Sequence, residues 1–208
     1  MGALPLFVLV AAAGVVAGHL RGGNVEGLRE TEVRGRTLAL VCLLVQAVIG
    51  APLLRDVGLP RVLGAVVLIV ALVALVGVAR ANGRLPGVPL LALGLLLCLL
   101  VTLVNLGVPV SEATLRRGNV AVEEPVPHRP DLEHVLEGPA TRIAVLGDRL
   151  AVPPLWTVTG VGEVAEFAGL FLLLQHMMLM GAVPGRRRSA RADDAHEAKT
   201  IPWSAWGD

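Results

Sequence analysis

Residues 62–79 read VLGAVVLIVALVALVGVA, eighteen consecutive residues with no charge and no polar side chain. Such a run has no polar face to turn toward water. In hydrocarbon a helix satisfies its own backbone and presents only apolar side chains. Its length is at the lower end of the transmembrane range of roughly 17–25 residues, so the stretch predicts a membrane-spanning helix. Four further apolar blocks, residues 3–18, 37–54, 88–104 and 164–183, invite the same reading. The totals agree: 54% of the 208 residues are hydrophobic and 17% charged, with a mean hydropathy of +0.71. The expectation is an all-α, polytopic helical membrane protein with about five transmembrane helices and a small structured extracytoplasmic cap.

The first block, ALPLFVLVAAAGVVAG, shows no clear basic n-region and no clear A-x-A-like cleavage site, since nothing before His19 is charged, which predicts a retained helix rather than a signal peptide. Its Gly14 and Gly18 form a G-x-x-x-G pair that permits close helix approach. The second block carries Gln46 and, near its end, Pro52; the fifth carries Glu166 and, deeper, Gln175 and His176. Polar groups at membrane depth face a partner or a cavity, so Gln175 or His176 is expected to hydrogen-bond across helices, to Gln46 or Thr102. Cys42 and Cys98 sit at different depths of their blocks. A disulfide needs Cα atoms within about 7 Å, so both are read as packed small apolar residues.

Five spans with the N-terminus outside put eleven of the 18 basic residues on the inner side, among them Arg21, Arg29, Arg34, Arg36, Arg80, Arg84 and the GRRRSAR of the tail. The other seven fall outside, most of them in one long loop where the positive-inside rule counts less. The expected location is thus the bacterial cytoplasmic (inner) membrane, N-terminus outside and C-terminus inside. Residues 1–183 form the membrane domain, 105–163 its outer cap, and 184–208 a flexible cytoplasmic tail. A net charge of +1 and 3% aromatic residues exclude nucleic acid as a partner. Neither a phosphate-binding G-x-x-x-x-G-K-[ST] nor an H-E-x-x-H pair occurs, and no metal or cofactor is implied. The expected partners are membrane lipids, which RRRSAR in the tail can approach, and a protein meeting the cap or the tail's IPWSAWGD.

The cap opens with NLGVPVSEATLRRGN, where Ser111 is placed to cap a short helix that ends before Gly118. PDLEHVLEGP predicts a second short helix, TRIAVLGD an extended segment, and PPLW a rigid turn with Trp156 as an interface anchor. Leu132, Val135, Leu136, Ile143, Val145 and Leu146 offer an apolar face, so the segment should fold back over the helix ends.

Several stretches carry a resemblance. RGGNVEGLRETEVRG with its following span, NLGVPVSEATL, HVLEGPATRIAVLGDRLAVPP and VTGVGEV together resemble a bacterial membrane protein family catalogued only as a domain of unknown function. That resemblance implies the architecture and no activity. The ordered triplet NLG, GDR and GVGE is also similar to the motifs of lipoprotein signal peptidases, membrane hydrolases with an aspartyl pair at the outer boundary. It departs from them in lacking the Gly-Asn-x-x lead and in ending on Glu163.

The site hypothesis that follows is an acid pair, Asp148 and Glu163, splitting their proton affinities to activate water. The structural alternative pairs Asp148 with Arg142 or Arg149 and sets Glu163 at a helix N-terminus, where its charge suits the dipole. Asn105, Ser111, His134, Arg142 and His176 are the candidate binding residues. His128, Asp131, His134 and Glu137 could be read as metal ligands, but no four-ligand set is fixed by their spacing, and a solvated helix face accounts for them. Three roles are therefore open: a non-enzymatic accessory or scaffold component, an intramembrane aspartyl-type hydrolase, or a binder of lipid or a small lipophile under the cap.

Overall fold

The structure is a computed structural model that describes residues 4–50, 60–117, 132–152, 155 and 157–181. Five longer helices make the frame: α1 (Leu4–Leu20), α3 (Arg36–Ile49), α4 (Arg61–Ala81), α5 (Val88–Asn105) and α7 (Val161–Met180). Two short ones, α2 (Glu26–Glu30) and α6 (Glu112–Arg117), lie at their ends. Val62–Ala81, Val88–Asn105 and Val161–Met180 are long and apolar enough to cross a membrane. α1, at 17 residues, and α3, at 14, are shorter apolar helices. The five expected spans are thus three helices of crossing length and two shorter ones, with residues 51–54 of the second block outside the described residues.

The helices follow one another in the order α3, α4, α5, α7, α1, each packed on the next. Glycines set two of these contacts. A β-carbon on Gly94 would stand 2.5 Å from the Gly162 carbonyl oxygen, and one on Gly87 would run into the Gly169 carbonyl. Two such meetings seven residues apart lock α5 antiparallel to α7 at close range. Gly14 lies against Phe171 and Leu174, and Gly18 against Gln175 and Met178, so α1 runs parallel to α7 and the expected G-x-x-x-G pair does face a helix.

On α4, Ala65, Leu68, Leu72, Leu75 and Ala79 are buried at helical spacing. Its other face leaves Val62, Val66, Val70 and Val73 between 47 and 62% exposed. An outward stripe of four valines suits a hydrocarbon solvent and not water.

The all-α expectation is corrected by a four-stranded sheet over the end of α5. Its strands β1 (Val108–Val110), β2 (His134–Leu136), β3 (Asp148–Val152) and β4 (Thr157–Gly160) lie in the order β2-β1-β3-β4. β1 runs parallel to both neighbours, and β3 and β4 are antiparallel. The helix expected over PDLEHVLEGP is therefore the strand β2. Val108 N–H donates to the Glu133 carbonyl (2.9 Å) and Glu137 N–H to that of Val110 (3.0 Å), so pairing with β1 outranks the local helical reading. Within TRIAVLGD, Ala144–Leu146 forms a single 3-10 turn and extension begins only at Asp148. The expected cap at Ser111 is present: Thr114 N–H donates to Ser111 Oγ (3.1 Å) at the start of α6.

Candidate functional site

Three short motifs, Asn105-Leu106-Gly107, Leu146-Gly147-Asp148 and Gly160-Val161-Gly162-Glu163, gather where α5 ends and α7 begins. Asn105 is the last residue of α5. Its amide donates to the Val101 carbonyl (3.0 Å) and the Arg142 carbonyl (2.8 Å), and its Oδ1 accepts from Arg142 N–H (2.8 Å). Leu106 (φ 52°) and Gly107 (φ 146°) then turn the chain back into β1. A β-carbon at Gly107 would lie 2.7 Å from Val135 Cγ1, so glycine meets both the backbone angle and the space under β2.

Gly147 slides under Pro109 of β1, where a β-carbon would strike the proline carbonyl. That places Asp148 in register with Val110 on one side and Gly160 on the other. Its Oδ2 stands 2.9 Å from His134 Nε2. With the carboxylate as acceptor, the imidazole N–H donates. Both side chains are sealed, Asp148 at 1% and His134 at 5% exposure. The bond spans β1 from β2 to β3. The other oxygen, Oδ1, faces the start of α7, 3.0 Å from where a Gly160 β-carbon would sit.

Glu163 occupies the first turn of α7, the positive end of the helix dipole. Asp148, Glu133 and Glu166 lie within its electrostatic reach. Its Oε2 and the Thr159 hydroxyl are both buried, and Thr159 is the hydrogen-bonding side chain beside the carboxyl. One turn on, Glu166 Cγ lies over Gly94, and Cys98 Sγ lies 2.6 Å from a Gly162 β-carbon position. A polar seam thus runs from the sheet into the α5–α7 contact.

The partners expected for Asp148 go elsewhere. Arg149 pairs with Glu137 (2.9 Å) and donates to the Ala144 carbonyl, while Arg142 is held through its backbone by Asn105. Ser111 is spent on its cap, and its Oγ also bonds Thr114 Oγ1 (2.7 Å). His176 lies half-buried on α7, away from this cluster. Gln175 accepts from Arg21 (2.9 Å) and Thr102 Oγ1 donates to the Cys98 carbonyl (2.7 Å), so the expected bond between those two is replaced. Gln46 Nε2 has no partner among the described residues. Cys42 and Cys98 are free thiols.

His128 and Asp131, like Trp156 and the tail, fall outside the described residues. Among those described, no group of three or more His, Cys, Asp or Glu is placed to hold a metal ion. The pairing of His134 with Asp148, fourteen residues apart, has no signal in spacing, because it depends on β1 lying between them. Thr159 has no such signal either, and Cys98 and Glu166, read from sequence as a packed small residue and a polar residue of the fifth block, come together only because α5 packs on α7. The seven-residue glycine spacing, Gly87 to Gly94 and Gly162 to Gly169, was the available sign.

A family model described as a family of unknown function (DUF5317) matches residues 30–175. No curated protein and no solved structure matches the chain, and neither comparison supports the likeness to lipoprotein signal peptidases.

Proposed function

Since the chain belongs to the family of unknown function DUF5317, we propose a role read from its geometry: a non-enzymatic accessory or scaffold component of the bacterial cytoplasmic membrane. In this reading the bundle is multi-pass, N-terminus outside and C-terminus inside, and its extracytoplasmic cap offers a fixed surface to a protein partner. The observation that carries it is the bond between Asp148 and His134. An acid at 1% exposure, taken up by a histidine two strands away, acts as a fastener and holds β2, β1 and β3 in one piece. The cap leaves Val145, in the 3-10 turn before β3, 68% and Leu150, on β3, 50% exposed, apolar positions suited to a partner's contact.

A photo-reactive residue at Val145 or Leu150, introduced in cells, tests this. The expected result is one discrete adduct with a membrane protein from both positions, and none from the exposed Arg116 on α6. Equal, diffuse labelling from all three would contradict it.

A second reading, the hydrolase, is favoured by a second buried acid, Glu163, within electrostatic reach of Asp148 and with the Thr159 hydroxyl beside it. Turnover of lipid-modified peptides by the purified chain, abolished in both Glu163→Gln and Asp148→Asn, would establish it. Absence of turnover in the wild type, with the cap destabilised only by Asp148→Asn, returns the account to the fastener.

A further inference from the structure

At the end of the bundle opposite the sheet, α4 finishes, α5 begins and α3 starts. Residues 31–36 run past this junction and are latched to it. Arg34 N–H donates to Asn82 Oδ1 (2.9 Å), and Asn82 Nδ2 donates to the Arg34 carbonyl (2.8 Å) and to Val78 O (2.7 Å). Asn82 is itself 8% exposed, so the latch is built into the fold. On either side of the latched segment opens a cleft, of about 550 and 780 Å³. Arg29, Arg34 and Arg36 line the first, and Arg34, Arg80 and Arg84 the second; Glu32 is the one acid lining both. The five arginines come from three parts of the chain, are exposed, and form no ion pair among the described residues. They surround concave space at the ends of two helices of membrane-crossing length. Like charges held together at such a boundary, on a pinned backbone, lower their repulsion by taking up an anion, and guanidinium groups match phosphate oxygens in pairs.

We infer that these clefts are a binding site for a phosphate group at the membrane surface, borne by an anionic lipid. The site is independent of the role proposed above, since it shares no residue with the cap.

The test uses the full chain in nanodiscs of phosphatidylcholine containing phosphatidylglycerol, followed by detergent washing and native mass spectrometry of retained lipid. The wild type is expected to keep phosphatidylglycerol over phosphatidylcholine, and Arg80→Gln/Arg84→Gln to lower that preference by roughly tenfold to thirtyfold. Arg116→Gln/Arg117→Gln, the same charge change at the other end, is expected to leave it intact. A second arm adds inorganic phosphate to the lipid-free chain in detergent and reads its melting temperature. Stabilisation by phosphate, lost in Arg80→Gln/Arg84→Gln and without a lipid preference, would assign the same site to a soluble phosphate compound. No preference for either anion, or an equal one in both double variants, would overturn the site.

Discussion

Asn82 and Asn105 make the same three hydrogen bonds at opposite ends of the bundle. Each sits where a helix stops, returns one N–H to the carbonyl four residues back, and clamps the N–H and C=O of a distant arginine. The consequences differ because the clamped segments differ. Arg34 belongs to a short loop with no sheet to join, so its neighbouring arginines stay in open clefts. Arg142 leads through a 3-10 turn into β3, and the sheet carries Asp148 inward to His134. One backbone device therefore yields an open, basic end and a closed, acidic one. What surrounds the clamp, rather than the clamp, decides whether polar chemistry is available to solvent.

The comparison breaks most readily at Asp148. Removing one partner of this buried hydrogen bond leaves the other unsatisfied, at a cost of about 3 kcal/mol or more, so Asp148→Ala or His134→Ala should unfold the cap selectively. Thermal melts in detergent with a double-mutant cycle should show the two losses to be strongly non-additive. Next comes the seam beneath it. Gly162→Val or Gly94→Val forces a side chain into the opposing backbone and should cost about 1–3 kcal/mol. Gly77→Ala, with nothing within 4 Å of its β-carbon, should not lower the melting temperature.

The clamps themselves sharpen the contrast. Asn105→Ala and Asn82→Ala should each cost about 1–2 kcal/mol. Amide exchange should rise at Arg142 and through β3 in the first, and only around Arg34 in the second. Smallest is Arg149→Gln, which removes a half-exposed ion pair with Glu137 and should change stability by under about 1 kcal/mol.

The helices were legible because an uncharged apolar run admits few other structures, and residues 62–79 state it in composition alone. Ser111 was legible as a cap because its spacing from Thr114 is local. The sheet was not. Val108–Val110 and His134–Leu136 are three residues each, too short for an alternating pattern, and they become strands only by pairing across a long connection. For the same reason Asp148 and His134 were each singled out but not joined. The Asn-x-Gly motif was visible as a motif, yet its meaning, a clamp and a left-handed turn at the end of α5, required the partner at Arg142. The glycines of α5 and α7 were present at a regular spacing that composition hides among 24 glycines.

The most direct test of the fastener is hydrogen exchange of the full chain in nanodiscs, comparing wild type, Asp148→Asn and Glu163→Gln at the amides of His134–Leu136 and Asp148–Val152. The account predicts that Asp148→Asn releases both strands together while Glu163→Gln leaves them protected. Unchanged protection of both strands in Asp148→Asn would contradict it, and would return Asp148 to the acid pair with Glu163.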